Sequence, residues 1–141
     1  MTTWNKPLPI PDETTAPFWD AARQHRLVFQ RCQDCRAFHH PPVSFCPDCH
    51  NLDTPTFAFE EVSGRGRIVN WTVMNDPMVT GFGQEPPWVN VLVEMEEQKR
   101  LLFVATLEDG PQAPLTIGAA VVTIFKDVTP EVSIPYFKLG K

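Results

Sequence analysis

Cys32-Gln33-Asp34-Cys35 and Cys46-Pro47-Asp48-Cys49 stand ten residues apart, and these two pairs dictate the architecture of the 141-residue chain. A Cys-x-x-Cys pair lets one tight turn present two sulfurs to one ion. Two such turns facing each other complete a tetrahedron. The segment between the pairs is short but long enough for a hairpin. A closed set of Cys32, Cys35, Cys46 and Cys49 suits zinc in a structural role, since no coordination position stays open for chemistry. A rubredoxin-like iron site uses the same ligands, and the spacing does not separate the two metals. Four thiolates on a divalent ion carry a charge of −2, which Arg31, Arg36 and the turn amides are placed to offset. Residues 32–55 have too few apolar side chains to build a core, so metal binding is expected to replace one.

Outward from the cysteines the texture changes on both sides. Residues 1–13 carry Pro7, Pro9 and Pro11 and read as an extended arm. Thr14-Thr15-Ala16-Pro17 is a helix start, with a hydroxyl cap and a proline in the first turn. Phe18, Ala21, Ala22 and His25 follow at helical spacing, predicting a short helix that ends near 24–26. Leu27–Arg31 reads as a brief strand. Beyond Thr56, strand-like runs alternate with turn signals: Phe57–Val62, Arg67–Met74, Trp88–Met95, Leu101–Leu107 and Ala119–Lys126, with Glu131–Tyr136 as a short edge strand. Five strands in about 70 residues with no long helix fit an OB-type barrel; a small sandwich is the competitor. The expected fold is therefore mostly β: an arm and short helix over 1–26, a zinc ribbon over 27–56, and a five-stranded OB-type barrel over 57–141.

Composition narrows the function. The chain has 12 Lys+Arg against 17 Asp+Glu, a net charge of −5, and 43% hydrophobic residues. That apolar share excludes general disorder, and the charge gives no global field for nucleic acid or an anionic membrane. The 15 prolines argue against a long-helix bundle. No stretch approaches the ~18 apolar residues of a membrane span. Nothing after Lys6 resembles a signal peptide, so a reducing, cytoplasmic setting is expected, in which the cysteines are ligands rather than disulfides. His39, His40 and His50 flank the cysteines and read as solvated loop residues or as donors to the ligands, because four sulfurs already saturate zinc.

Serine occurs only at Ser44, Ser63 and Ser133, and tyrosine only at Tyr136. No serine sits in a nucleophile elbow, and the cysteines are used by metal, so the chain offers no catalytic residues of its own. Gly64-Arg65-Gly66 precedes a strand rather than a helix, which excludes a dinucleotide fingerprint. It reads either as a turn or bulge at a barrel corner, or as a close backbone approach with Arg65 or Arg67 reaching a phosphate. The loop 76–88 holds Met78, Phe82, Pro86, Pro87 and Trp88, either as a packed connection or as an apolar contact for a partner or an acyl chain.

Read in order, Phe18-Trp19, Leu27–Cys32, Pro41-Pro42, Cys46–Cys49, Val62–Thr72, Pro86–Val89, Leu115–Gly118 and Ile134–Phe137 resemble the zinc-ribbon plus OB-fold proteins that accompany acyl-CoA enzymes. Glycines common in that family after the first cysteine pair and before the Leu27 strand are replaced here by Arg36 and His25. The resemblance implies a non-catalytic accessory subunit that forms a hetero-oligomer with a thiolase-superfamily protein. Such partners serve acetoacetyl-CoA or hydroxymethylglutaryl-CoA synthesis, acylation of phloroglucinol-type polyketides, or aldol shortening of steroid side chains. It further implies one structural Zn²⁺ per chain and a barrel that contacts the partner and its CoA thioester. The residues placed for those contacts are Arg65, Arg67, Phe82, Pro87, Trp88, Tyr136 and Phe137. The competing function is single-stranded nucleic-acid binding, with Trp71, Phe82 and Trp88 as stacking platforms. Against it stands the barrel half, residues 57–141, with 7 bases against 11 acids.

Overall fold

The computed structural model describes residues 4–53, 56–75, 78, 81 and 86–140. Helix α1 spans Ala16–Arg23, with Pro17 in its first turn. No hydroxyl caps it. Asp12 does the ordering instead: its Oδ1 accepts the N–H groups of Thr14 and Thr15 and the Thr15 hydroxyl, at 2.8–3.0 Å. These hydrogen bonds, the Thr15 amide's first, hold the Asp12 carboxyl below its usual range. The helix ends where Arg26 N–H reaches back to Ala21 O, with His25 at φ +58°. A left-handed stop of this kind is the conformation that glycine adopts most readily.

Three strands form the first sheet: β1 (Val28–Cys32) lies between β2 (Phe38–His39) and β3 (Phe57–Glu61), all antiparallel. The second sheet has five strands: β4 (Arg65–Met74), β5 (Trp88–Met95), β6 (Leu102–Thr106), β7 (Ala120–Asp127) and β8 (Ser133–Leu139), in the order β6-β5-β4-β7-β8. A parallel bridge from Leu107 to Phe137 brings its edges together into a nearly closed barrel.

Two strands differ from the sequence reading. The 57–61 strand does not pair within the barrel; it runs against β1 from Cys32↔Phe57 to Val28↔Glu61, because β1 has an open edge directly beside it. Its place in the barrel is taken by the tail, which is a full strand paired with β7 from Asp127↔Ser133 to Val121↔Leu139 rather than a short edge. Gly66 permits the tightest crossing in the barrel, since a Cβ there would meet Glu94 O at 2.5 Å. Gly64, at φ +81°, turns the chain into β4.

One core joins the two sheets. Phe29, Ile68, Val89, Val91, Val93, Leu107 and Phe137 are wholly or almost wholly buried together with Phe18, Leu27 and Phe38. Two glutamines act as surrogate strands. Gln98, in the β5–β6 turn, accepts from Phe38 N–H at 2.8 Å and donates to Phe38 O at 3.0 Å, tying β2 to the barrel. Gln30 does the same for Val43, at 2.7 and 3.0 Å, tying down the loop between the cysteine pairs.

Candidate metal centre and contact surface

The sequence builds the cysteine site from two matching turns. Arg36 N–H bonds to Cys32 O and His50 N–H bonds to Cys46 O, each at 2.9 Å. In both turns the residue after the second cysteine is left-handed, with Arg36 at φ +69° and His50 at φ +57°. Local folding thus aims four sulfurs at one point, all within 4.8 Å of one another. Cys32 and Cys49 lie 3.8 Å apart, and Cys35 and Cys46 lie 3.5 Å apart. A tetrahedron with metal–sulfur bonds near 2.3 Å has edges of about 3.8 Å, so the donor set fits zinc by chemistry and by spacing. None of the four is in a disulfide; Cys32 and Cys46 are buried, Cys35 and Cys49 exposed. In the metal-free chain the crowded sulfurs divide their protons unevenly. The Cys35 and Asp34 amides and the thiols of Cys49 and Cys35 bring Cys32 down to about 7. The Ala37 amide favours a thiolate at Cys35, but desolvation and the thiols of Cys46, Cys32 and Cys49 outweigh it and push Cys35 up to about 12.

Two expectations around the site need correction, and a third is decided between its alternatives. Arg31 and Arg36 are paired with an acid rather than held free to offset the sulfurs. Both bond to Glu60 Oε1, at 3.2 and 2.9 Å, while Gln33 donates to its other oxygen at 2.9 Å. Glu60 gathers the guanidinium groups because β3 runs alongside β1, and its carboxyl is held low by Gln33, Arg36 and Arg31. His39 takes the second of its two expected places: it is buried, with Nε2 3.2 Å from Cys46 Sγ, as a donor to a ligand. His40 takes neither; its ring packs on Phe29, Phe103 and Phe18 with centroids at 4.7, 5.1 and 5.8 Å. Burial alone lowers its pKa to about 4, so it is a neutral aromatic wall. His50 is exposed, and its role is the left-handed turn. Gln30, Gln98 and Glu60 escaped sequence reading, since their roles depend on sheet pairing and only strand alternation hinted at them.

The barrel residues picked as contacts are spread over its surface. Arg65 bonds to Glu96 at 2.7 Å, and Arg67 donates to Gly118 O at 3.0 Å, both on the outward side of β4. Pro87 is exposed and Trp88 half-buried at the start of β5. Tyr136 is half-buried under the Lys126 ammonium, 4.2 Å from its ring. Phe137 is wholly buried against Phe103 and belongs to the core. Phe82 lies outside the described residues. Among the described residues of the loop before β5, Met78 is 99% exposed. No helix among the described residues is long and apolar enough to cross a membrane.

A four-cysteine ribbon sharing one core with a five-stranded, nearly closed barrel defines a zinc-ribbon plus OB-fold protein. Comparison with known proteins makes the class specific. A family model described as the ChsH2 rubredoxin-like zinc ribbon domain matches residues 19–54, and one described as the ChsH2 C-terminal OB-fold domain matches residues 59–126. The chain belongs to this ChsH2 (DUF35) family. It is 35% identical over 133 residues to a probable enoyl-CoA hydratase alpha subunit of Thermomonospora curvata, covering 94% of this chain and 40% of that one. A DUF35 domain-containing scaffold protein of Pyrococcus furiosus is 30% identical, covering 79% of this chain and 77% of that one. A chain of the solved Ltp2-ChsH2(DUF35) aldolase superposes with TM-score 0.78 at 31% identity, covering 94% of this chain and 98% of that chain. The chain spans about two fifths of the length of the hydratase alpha subunits it matches.

Proposed function

We propose that this chain is a non-catalytic accessory subunit that binds a thiolase-superfamily acyl-CoA enzyme and helps hold its CoA-thioester substrate. The observation that carries the reading is the end-to-end likeness to a chain of the Ltp2-ChsH2(DUF35) aldolase, over 94% of this chain and 98% of that one. The archaeal relatives described as DUF35 scaffold proteins point the same way. The cysteine site supplies structure rather than chemistry: one zinc per chain, on Cys32, Cys35, Cys46 and Cys49, stands in for a local core. Arg65 and Arg67 flank the rim where β4 and β5 meet, and they are the groups placed to meet a CoA phosphate. Arg65 would have to leave Glu96 to do so, an exchange between two half-exposed partners that costs little. Phe82, Pro87, Trp88 and Tyr136 are the apolar anchors for the partner.

Co-expression with the thiolase-superfamily enzymes of the same organism, followed by size-exclusion chromatography, tests the reading. Co-elution as one hetero-oligomer is expected, weakened by Phe82→Ala and by Trp88→Ala with zinc content intact, and the isolated chain should turn over no acyl-CoA. Thioester cleavage by the isolated chain, or no association with any such enzyme, overturns it. Nucleic-acid binding is opposed by the acidic barrel half. A salt-dependent shift of a labelled oligonucleotide by the isolated chain would reinstate it.

A further inference from the structure

The barrel is not sealed along its whole seam. At its closed end Leu107 pairs with Phe137, and Glu108 N–H bonds to Phe137 O at 2.7 Å. Two residues earlier on β8, the position that turns its backbone to the same edge is Pro135, which has no N–H to give. From there β6 and β8 diverge, and β6 runs on as an unpaired edge from Leu102 to Thr106. Helix α1, the arm and the loop after β2 roof the gap. Together they bound a half-open cavity of about 500 Å³ at the junction of arm, helix, ribbon and barrel. Its aromatic wall is Phe18, Trp19, His40, Phe103 and Tyr136, and Val104, 58% exposed, stands at its mouth.

Two features give the cavity a chemistry. In a chain that is 21% charged, no described residue lining it is Asp, Glu, Lys or Arg. Its one titratable side chain within the ordinary pH range, His40, is kept neutral by burial. The nearest cations, Lys6 and Lys126, are stacked on the rings of Trp4 and Tyr136 at 4.7 and 4.2 Å rather than lining the cavity, so an uncharged ligand is favoured over phosphates and carboxylates, which would lose more hydration on entry. The second feature is Trp4, whose indole N–H is buried at the cavity wall with no hydrogen-bond partner among the described residues. A shielded donor of this kind is completed by an acceptor oxygen.

We propose that this seam cavity is a binding site for an uncharged, apolar group bearing a carbonyl-type acceptor. It would take the acyl portion of the thioester rather than its CoA portion. The volume falls in the range of small-molecule sites, with a mostly apolar lining and few polar groups. The assignment to an acyl group rests on the proposed function; the selectivity for neutral apolar ligands does not.

The experiment uses the zinc-loaded full chain and the neutral fluorophore N-phenyl-1-naphthylamine. One saturable site is expected, displaced by the uncharged thioester S-octanoyl-N-acetylcysteamine and not by free CoA at the same concentration. Val104→Trp, at an exposed mouth position that leaves the fold undisturbed, should weaken fluorophore binding at least tenfold. Trp4→Phe keeps the apolar wall but removes the donor, so it should weaken displacement by the thioester several-fold with fluorophore binding unchanged. Absence of a saturable site overturns the proposal, as does wild-type binding by Val104→Trp or displacement by CoA equal to that by the thioester. Association with an enzyme partner alongside no binding of either probe would refute this site while leaving the accessory role standing.

Discussion

Replacing His39 by Phe isolates a buried side chain that touches a cysteine ligand from outside. A metal-bound Cys46 carries no proton, so a contact of 3.2 Å must be an N–H donated by His39 Nε2 to the sulfur. Both partners are buried, Cys46 at 1% exposure and His39 at 9%, so water cannot replace the lost donor. Hydrogen bonds to charged groups contribute about 1.5–3 kcal/mol. Loss of a supporting partner to a metal ligand typically costs 10–100-fold in affinity, and the two scales agree. Phenylalanine keeps the edge-on packing of His39 against Phe57, centroids 6.4 Å apart, so the fold should survive. Zinc competition against a chromogenic chelator should then show affinity reduced by about one to two orders of magnitude. His39→Gln, whose Nε2 can reach the same point, should recover most of it. Alkylation mapped by mass spectrometry gives a second reading: in the wild type Cys35 and Cys49 react first, while in His39→Phe Cys46 joins them. Wild-type zinc affinity in a folded His39→Phe protein would refute the argument, and so would equal losses in the Phe and Gln variants.

Three further outcomes follow from the geometry. Cys46→Ser should lose zinc and speed amide exchange across residues 27–53 while the buried amides of β5 stay protected, read by hydrogen–deuterium exchange. Gly66→Ala forces a Cβ to within 2.5 Å of the Glu94 carbonyl, which should cost about 1–3 kcal/mol in urea denaturation; wild-type stability would refute the close crossing. His40 has its pKa lowered from 6.5 to about 4, so the unfolded chain binds its proton first. Stability is full above pH 6.5 and falls as pH drops toward 4, by up to about 3 kcal/mol, and His40→Phe should show a shallower decline between pH 7 and 5.

Local chemistry made much of this molecule legible. The cysteine spacing named four ligands, and the structure brings those four sulfurs together. Proline placement and apolar spacing found α1, and alternation found β4, β5, β6 and β7 within a few residues. The failures are non-local. Phe57–Glu61 has the alternation of a barrel strand, but alternation does not name the neighbour, and β1 offered the nearer open edge. Arg31 and Arg36 were placed by sequence distance beside the sulfurs, yet the β1–β3 register delivers Glu60 to them instead. His39 and His40 are adjacent in sequence and opposite in fate. Strand β2 ends on His39, whose ring goes to the cysteine site, and the next residue, His40, leaves on the opposite side toward the aromatic cluster, as period-two geometry predicts for neighbours at a strand's end.

That division also explains how the ribbon and barrel act as one body. His39 ends at Cys46, and His40 ends between Phe29 and Phe103. Gln98 binds both backbone groups of Phe38, the residue immediately before them. A four-residue stretch, Phe38 to Pro41, therefore touches the barrel turn, the metal site and the wall of the seam cavity in succession. Loss of zinc frees the loop that carries Cys46 and removes the anchor of His39. The disturbance reaches His40 through a single peptide unit. Metal removal should consequently loosen the seam cavity before it unfolds the barrel, because β5, β4 and β7 keep their own ladder and their own buried valines. Chelation followed by titration with N-phenyl-1-naphthylamine separates the cases. Binding weakened while barrel amides stay protected means that the metal supports the site through Phe38–Pro41, and unchanged binding in the metal-free chain would show that ribbon and barrel are energetically independent.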